Sequence, residues 1–369
     1  MLKSLIPKLP IVNHIDKQRN PLQTAKDSIA KTTALATPID LSHVFFTPTF
    51  ERPDVPHATK THFRHPWTLP KRGMNVAQWL LNRKKAQWPL WEENISVTEL
   101  PTLRPNAELS DWKMWFVGHA TVLIQIGPYN FLTDPVWGMR VSPASFAGPR
   151  RVRAAGIALE DLPTIDAVLL SHNHYDHMDM VSLDWLYRRD RMPIYAGLAN
   201  SQYLPAHMRV IELDWWESIP FYKDDRLKIT FTPAQHFSGR GIKDGNMALW
   251  GGLSVTTPTD HLFFAGDTGY AQHFTEVRER LGAPRVALLP IGAYEPRAVM
   301  HAMHMNPTDA VQAHQDLQAK QSLAIHHRTF QLTDEAMNQP LLDLAHALSR
   351  AKLPAHAFAT PTEGEHVCV

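Results

Sequence analysis

Ser171-His172-Asn173-His174-Tyr175-Asp176-His177 places three imidazoles and a carboxylate within one short turn of chain, directly after the apolar run Ala167-Val168-Leu169-Leu170. That run, opened by Asp166, reads as a buried strand because it is apolar, β-branched in part and short. Side chains alternate along an extended chain, so His172 and His174 fall on one side as the chain leaves the sheet. Asp176 and His177 follow in a turn and can face a second ion nearby. Neutral imidazole and ionised carboxylate suit zinc, and manganese or iron as well, so the residue types fit a two-metal centre and leave the metal open. A His-rich surface loop without ligands is the plain alternative, and the His-x-His-x-Asp-His spacing behind a strand argues against it.

A chain of 369 residues can bury a sizeable core and is long enough for one α/β enzyme domain plus an extension. The net charge of +1 argues against nucleic acid as a partner, since that binding is driven by a broad excess of Lys and Arg. The single cysteine, Cys368, excludes an intrachain disulfide and a thiolate metal site, so any metal must rest on His and carboxylates. Pro7 and Pro10 interrupt the N-terminal apolar residues, no secretory signal is read there, and no run approaches a transmembrane length. A cytoplasmic protein, with or without peripheral membrane contact, is the expectation.

Further ligands must come from distant strand ends. Leu227 to Thr232 alternates like a strand and delivers Pro233-Ala234-Gln235-His236. Leu249 to Thr256 reads as another, with Gly251-Gly252 allowing close backbone approach. His261 to Gly266 reads as a buried strand ending at Asp267, whose two oxygens can bridge two cations. Ser322 to Ile325 presents His326. Upstream, strands at Lys113–Val117 and Thr121–Ile126 flank His119, which suits either a site-lining residue or a satisfied core histidine. Asn130-Phe131-Leu132 leads into Thr133-Asp134-Pro135, where Asp134 is expected to fix a neighbouring loop by accepting backbone N–H bonds and not to bind metal. Helices are expected over Ser182–Arg189 and from the cap Asn306-Pro307-Thr308-Asp309 to about Lys320.

Met1 to Pro53 shows weak periodicity and reads as extended or loosely ordered chain. From Val55 to Trp91 there is no Asp or Glu, while Lys60, Arg64, Lys71, Arg72, Arg83, Lys84 and Lys85 alternate with Phe63, Trp67, Trp79, Trp88 and Trp91. Asn75 to Lys85 looks helical. Such a segment suits an anionic lipid surface or a phosphate-bearing substrate. It equally suits an accessory layer whose tryptophans pack on the main domain.

Trp115-Phe116-Val117-Gly118-His119-Ala120-Thr121, Leu132-Thr133-Asp134-Pro135, the motif from His172 to His177, Asp214-Trp215-Trp216-Glu217, Phe264-Ala265-Gly266-Asp267-Thr268-Gly269-Tyr270 and Pro290-Ile291-Gly292-Ala293-Tyr294-Glu295-Pro296-Arg297 together resemble the N-acyl-phosphatidylethanolamine-hydrolysing phospholipase D family of the metallo-β-lactamase superfamily. The resemblance implies an α/β fold, an αββα sandwich spanning residues 111–369 with an N-terminal extension over 1–110 packed on it. It implies two zinc ions, with His172, His174 and His236 on one, Asp176, His177 and His326 on the other, and Asp267 bridging them and orienting the nucleophile. The family's site histidine falls on His304, expected to assist the leaving alkoxide or bind phosphate. His119, Tyr175 and Tyr294 are expected to meet the substrate. The implied reaction cleaves the phosphodiester of an N-acylated phospholipid into an N-acylethanolamine and phosphatidic acid, with a homodimer and peripheral membrane contact as further implications. The chain departs from the family at His327-Arg328, where Trp-Gly is usual, and at Met303, where Gln is usual. The same ligand set serves lactone and other ester hydrolysis. A non-catalytic membrane-surface metalloprotein is the reading from outside enzymology.

Overall fold

Apolar strands build two facing sheets in the computed structural model, which describes residues 55–59, 61–71, 73–93, 99–144 and 146–369. The expected loose chain from Met1 to Pro53, and Lys60 and Arg72 of the basic segment, lie outside the described residues. The first sheet holds β1 (Trp112–Gly118), β2 (Thr121–Ile126), β3 (Tyr129–Thr133), β4 (Ala167–Leu169), β5 (Ile194–Gly197) and β6 (Val210–Leu213). The second holds β7 (Ser218–Phe221), β8 (Asp224–Thr232), β9 (Gly252–Thr256), β10 (His261–Phe264), β11 (Val286–Pro290), β12 (Gln321–Ile325) and β13 (Phe358–Ala359). β14 (His366–Cys368) returns to the first sheet beside β1, giving the orders β14-β1-β2-β3-β4-β5-β6 and β13-β12-β11-β10-β9-β8-β7.

Each sheet starts as an antiparallel meander and continues as parallel strands, which need crossovers long enough to carry helices. Helices Met180–Asp190, His273–Leu281, Pro307–Leu317 and Gln339–Ala351 lie in these crossovers. The two faces of the second sheet follow the two-residue period of a strand. Leu262, Phe264, Leu288, Leu323 and Ile325 enter the core shared by the sheets. Phe263, Ala287, Leu289 and Ala324 pack instead on Phe274, Val277, Val311 and Leu344 of the outer helices. Fully burying each such Leu or Phe contributes about 1.5–3 kcal/mol. The result is the αββα sandwich expected from the sequence.

Local expectations need small corrections. The Asn306 cap forms its capping box with Asp309, but the helix ends at Leu317 because Gln318 turns left-handed at φ 51°. The helix expected over Asn75–Lys85 is shorter, Val76–Asn82, because Arg83 leaves helical backbone to reach Asp334. β9 starts at Gly252 and not at Leu249, whose N–H bonds to Leu198. The basic segment lies along the main domain: the indoles of Trp67, Trp79 and Trp88 donate to Gln235, Asp334 and the Glu335 carbonyl at 3.0, 2.7 and 2.9 Å. Leu80, Leu81 and Leu90 stay exposed beside Lys84 and Lys85.

Candidate metal centre

Four strands deliver side chains to one edge of the sandwich. β4 leads through Leu170 and Ser171 into the motif from His172 to His177, β8 into His236, β10 into Asp267 and β12 directly into His326. His172 Nε2 lies 2.8 Å from His174 Nδ1, and His236 Nε2 lies 3.2 Å from the same atom. Three imidazole nitrogens thus converge where at most one proton can sit between each pair. A cation relieves this arrangement by accepting all three lone pairs. Asp176 Oδ2 lies 3.3 Å from His326 Nε2 and 3.5 Å from His177 Nε2, forming a second group. Asp267 Oδ2 sits between the groups, 3.1 Å from His326, 3.2 Å from His177 and 3.8 Å from His236. Asp267 Oδ1 and His177 Nε2 are buried without hydrogen-bond partners. All seven residues singled out as ligands are brought together, and their donor set fits divalent cations.

Burial sets the charge of each group. It pushes His174 and His236 down to about 3, with neighbouring imidazoles opposing protonation further, and lowers His172 as well. Burial also works against a charged His177 and His326, but the carboxylates of Asp267 and Asp176 prevail. They raise His177 well above its ordinary value and His326 to about 9. Desolvation disfavours the ionised form of Asp176 and Asp267, yet His177 beside them holds both well below the usual carboxylate range. The first group is therefore three neutral imidazoles, and the second is anionic carboxylate with titratable imidazole, two environments of different charge within one cluster.

Contacts behind the ligands fix their tautomers. Asp134, fully buried after β3, accepts from His177 Nδ1 at 2.5 Å, from the Ser171 N–H at 2.8 Å and from the Ser171 hydroxyl at 2.6 Å. His236 Nδ1 donates to the Met303 carbonyl at 3.0 Å. Each such bond keeps a proton on Nδ1, so that Nε2 is the nitrogen free to face a cation. Left-handed backbone gathers here too, at His119 (φ 57°), Asp134 (28°), His326 (61°) and Arg328 (62°). Each costs on the order of 1–3 kcal/mol for a non-glycine residue, strain that concentrates at functional sites.

The remaining residues divide. His119 is buried with Nε2 3.0 Å from Asp176 Oδ2, so it touches a ligand candidate. His304 lines the cluster, with Nδ1 3.9 Å from Asp267 Oδ2 and its ring 4.9 Å from that of His236. Tyr175 lies under the Arg240 guanidinium, 4.0 Å from ring centroid to Cζ. Tyr294 is buried and its hydroxyl donates to Asp343 at 2.6 Å. A helix of the outer layer thus takes the polar end of Tyr294. Two residues were missed. Phe237 packs its ring against His174 and His236 at 4.5 and 4.8 Å and keeps 37% exposure, a position readable from its place next to His236. Arg240 bonds to the motif through backbone carbonyls, which leave no trace in sequence.

Gly292 shows how tightly this edge is packed. A Cβ at Gly292 would lie 2.1 Å from the carbonyl oxygen of His326. Gly292→Ala is expected to displace the β12 end and cost about 1–3 kcal/mol, with weaker metal binding in the same variant. Thermal melts with and without chelator check both effects.

An αββα sandwich with a His/Asp cluster at its strand ends defines a metal-dependent hydrolase class. Residues 129–327 match the Beta-lactamase superfamily domain, and the chain belongs to that family. It is 37% identical over 262 residues to the N-acyl-phosphatidylethanolamine-hydrolyzing phospholipase D 1 of Caenorhabditis elegans, covering 68% of this chain and 74% of that protein. It is 34% identical over 217 residues to the mitochondrial N-acyl-phosphatidylethanolamine-hydrolyzing phospholipase D of Saccharomyces cerevisiae, covering 57% of this chain and 46% of that one. A solved isothiocyanate hydrolase from Delia radicum gut bacteria shares the fold at TM-score 0.54 and 22% identity, covering 70% of this chain and 98% of that one. Among the described residues no helix is long and apolar enough to cross a membrane.

Proposed function

We propose that the chain is a two-zinc phosphodiester hydrolase of the phospholipase D type, acting on N-acyl-phosphatidylethanolamine to give N-acylethanolamine and phosphatidic acid. The observation that carries the reading is the meeting of all seven ligand candidates in a chain 37% identical to a relative named for that activity. His172, His174 and His236 would hold one cation, Asp176, His177 and His326 the other, with Asp267 shared. Divalent cations held there would supply Lewis acidity toward the phosphate oxygens and a water of lowered pKa.

The chain's own residues do the rest. The Asp267 carboxylate, fixed among His177, His326 and His236, orients the attacking water. His304, at the cluster's edge and pushed by burial to about 4, acts as a neutral imidazole that hydrogen-bonds the phosphate or the departing oxygen. The exposed part of Phe237 offers an apolar wall to the substrate next to His174. Leu81 and Leu90, 86% and 83% exposed, with Lys84 and Lys85 beside them, support contact with an anionic lipid surface.

The test is a panel of N-acyl-phosphatidylethanolamine, a lactone and a generic phosphodiester, each with and without chelator. Turnover of the first that is lost with chelator and regained with zinc is expected. Activity confined to the lactone would overturn the substrate assignment. Elemental analysis of the purified protein should find about two equivalents of metal, and finding none would favour a non-catalytic role.

A further inference from the structure

The loop that follows His236 turns back onto the motif from His172 to His177, and we propose that its Arg240 is a positioning residue that holds this motif in its ligating shape. Arg240 is buried, and a buried guanidinium is costly unless its donors are used; its Nε has no partner, while one terminal nitrogen serves two carbonyls. Its NH1 donates to the carbonyl of Asn173 at 2.9 Å and to the carbonyl of Met178 at 2.8 Å. Asn173 sits between His172 and His174, and Met178 directly follows His177. The two carbonyls therefore bracket the ligand turn, and one guanidinium ties its entry to its exit.

The same group lies over Tyr175, in the middle of the turn, with Cζ 4.0 Å from the ring centroid. The preceding residue adds a further bond, Gly239 N–H to Asn173 Oδ1 at 2.7 Å. Arg240 is itself held in place, because Asp244 accepts from the N–H groups of Arg240 and Gly241, both at 2.8 Å. Ser238 anchors the base of the loop through its hydroxyl to the Ala248 carbonyl at 2.5 Å. The loop thus supplies a ligand candidate of the first group, His236, and the clamp on a turn that feeds both groups.

The residue type follows from this task. Both carbonyl bonds leave one nitrogen, so a lysine ammonium could still make them, but only the broad guanidinium can do so while also covering the Tyr175 ring. Arg151 is an internal comparison: it is equally buried and also donates to carbonyls, those of Val136 at 2.7 Å and Gly138 at 3.2 Å, but these lie outside the ligand turn.

The inference rests on the metal-centre reading, so zinc titration of the parent protein comes first, and a parent that binds no metal sinks that reading. With a metal-binding parent, R240M is expected to weaken zinc affinity about 10- to 100-fold, the usual loss for a group that orients ligands. It should also shift the visible spectrum of the cobalt-loaded protein. R240K should recover part of the affinity, and R151M should lower the melting temperature in chelator while leaving affinity and spectrum at parent values. A folded R240M with parent affinity and parent cobalt spectrum overturns the clamp. Should R240M fail to fold, R240K decides: parent affinity overturns the proposal, and a several-fold loss at unchanged stability in chelator supports it.

Discussion

Asp267→Asn is expected to remove turnover, lowering kcat by roughly 10³-fold or more, the scale of losing a preorganised charge contact at a reacting centre, while the fold persists. The carboxylate is buried, and one oxygen lies between His177, His326 and His236 at 3.1–3.8 Å while the other has no hydrogen-bond partner. An amide has the same shape but no charge, and it must turn either its NH2 or its carbonyl toward the imidazoles. One orientation sets donors against the cationic side of the cluster, and the other offers a single weak acceptor. The negative charge that raises His177 and His326 above their ordinary values is also lost. Those imidazoles can release a proton in response, so the uncompensated charge that makes a broken buried ion pair so destabilising need not persist. Hydrolysis of the substrate the parent prefers, metal content and circular dichroism check the result together. A variant with parent kcat and two bound metals would remove Asp267 from the centre of the chemistry.

The residues of the His/Asp cluster were legible because metal chemistry restricts residue type and the strands restrict spacing. His236, Asp267 and His326 each follow an apolar run, and a run ending in a polar residue at a sheet edge is a local signal. Asp134 was legible for a similar reason, an Asp-Pro step immediately after a strand. The facing of the central strands was not. Leu262–Phe264 is apolar throughout, so nothing in it says that Phe263 meets the helices while Leu262 and Phe264 meet the other sheet. β14 was also invisible, since its three residues pair with β1 across more than two hundred positions, as in Lys113 with Cys368. The partner of the Tyr294 hydroxyl was not legible either, since Asp343 lies far along the chain. Arg240 escaped because its partners are peptide carbonyls, which every residue possesses.

Asp134 separates metal binding from folding, and two substitutions there should show it. Asp134 has no exposed surface and accepts three hydrogen bonds, from His177 Nδ1, the Ser171 N–H and the Ser171 hydroxyl. Burial raises its pKa, and the charge of His177 only partly offsets this. Asp134→Ala strands those buried donors, each worth about 1–3 kcal/mol when left unpaired, so the melting temperature in chelator should fall and metal affinity with it. Asp134→Asn keeps the volume and one acceptor, but the two sides of Asp134 both face donors. The Ser171 N–H bonds one oxygen of Asp134, while His177 Nδ1 and the Ser171 hydroxyl share the other; an amide that gives its oxygen to the fixed Ser171 N–H turns its NH2 toward the rotatable hydroxyl and His177 Nδ1, and relief comes only if His177 moves its proton to Nε2. That nitrogen is the one 3.2 Å from Asp267 and would be withdrawn from the metal. The Asn variant should therefore keep most of the fold's stability and lose about 10- to 100-fold in zinc affinity, while the Ala variant loses both. Zinc titration against a chromophoric chelator, paired with melts of the metal-free proteins, reads the two effects separately. An Asn variant that binds zinc like the parent would show that Asp134 does not set the tautomer of His177.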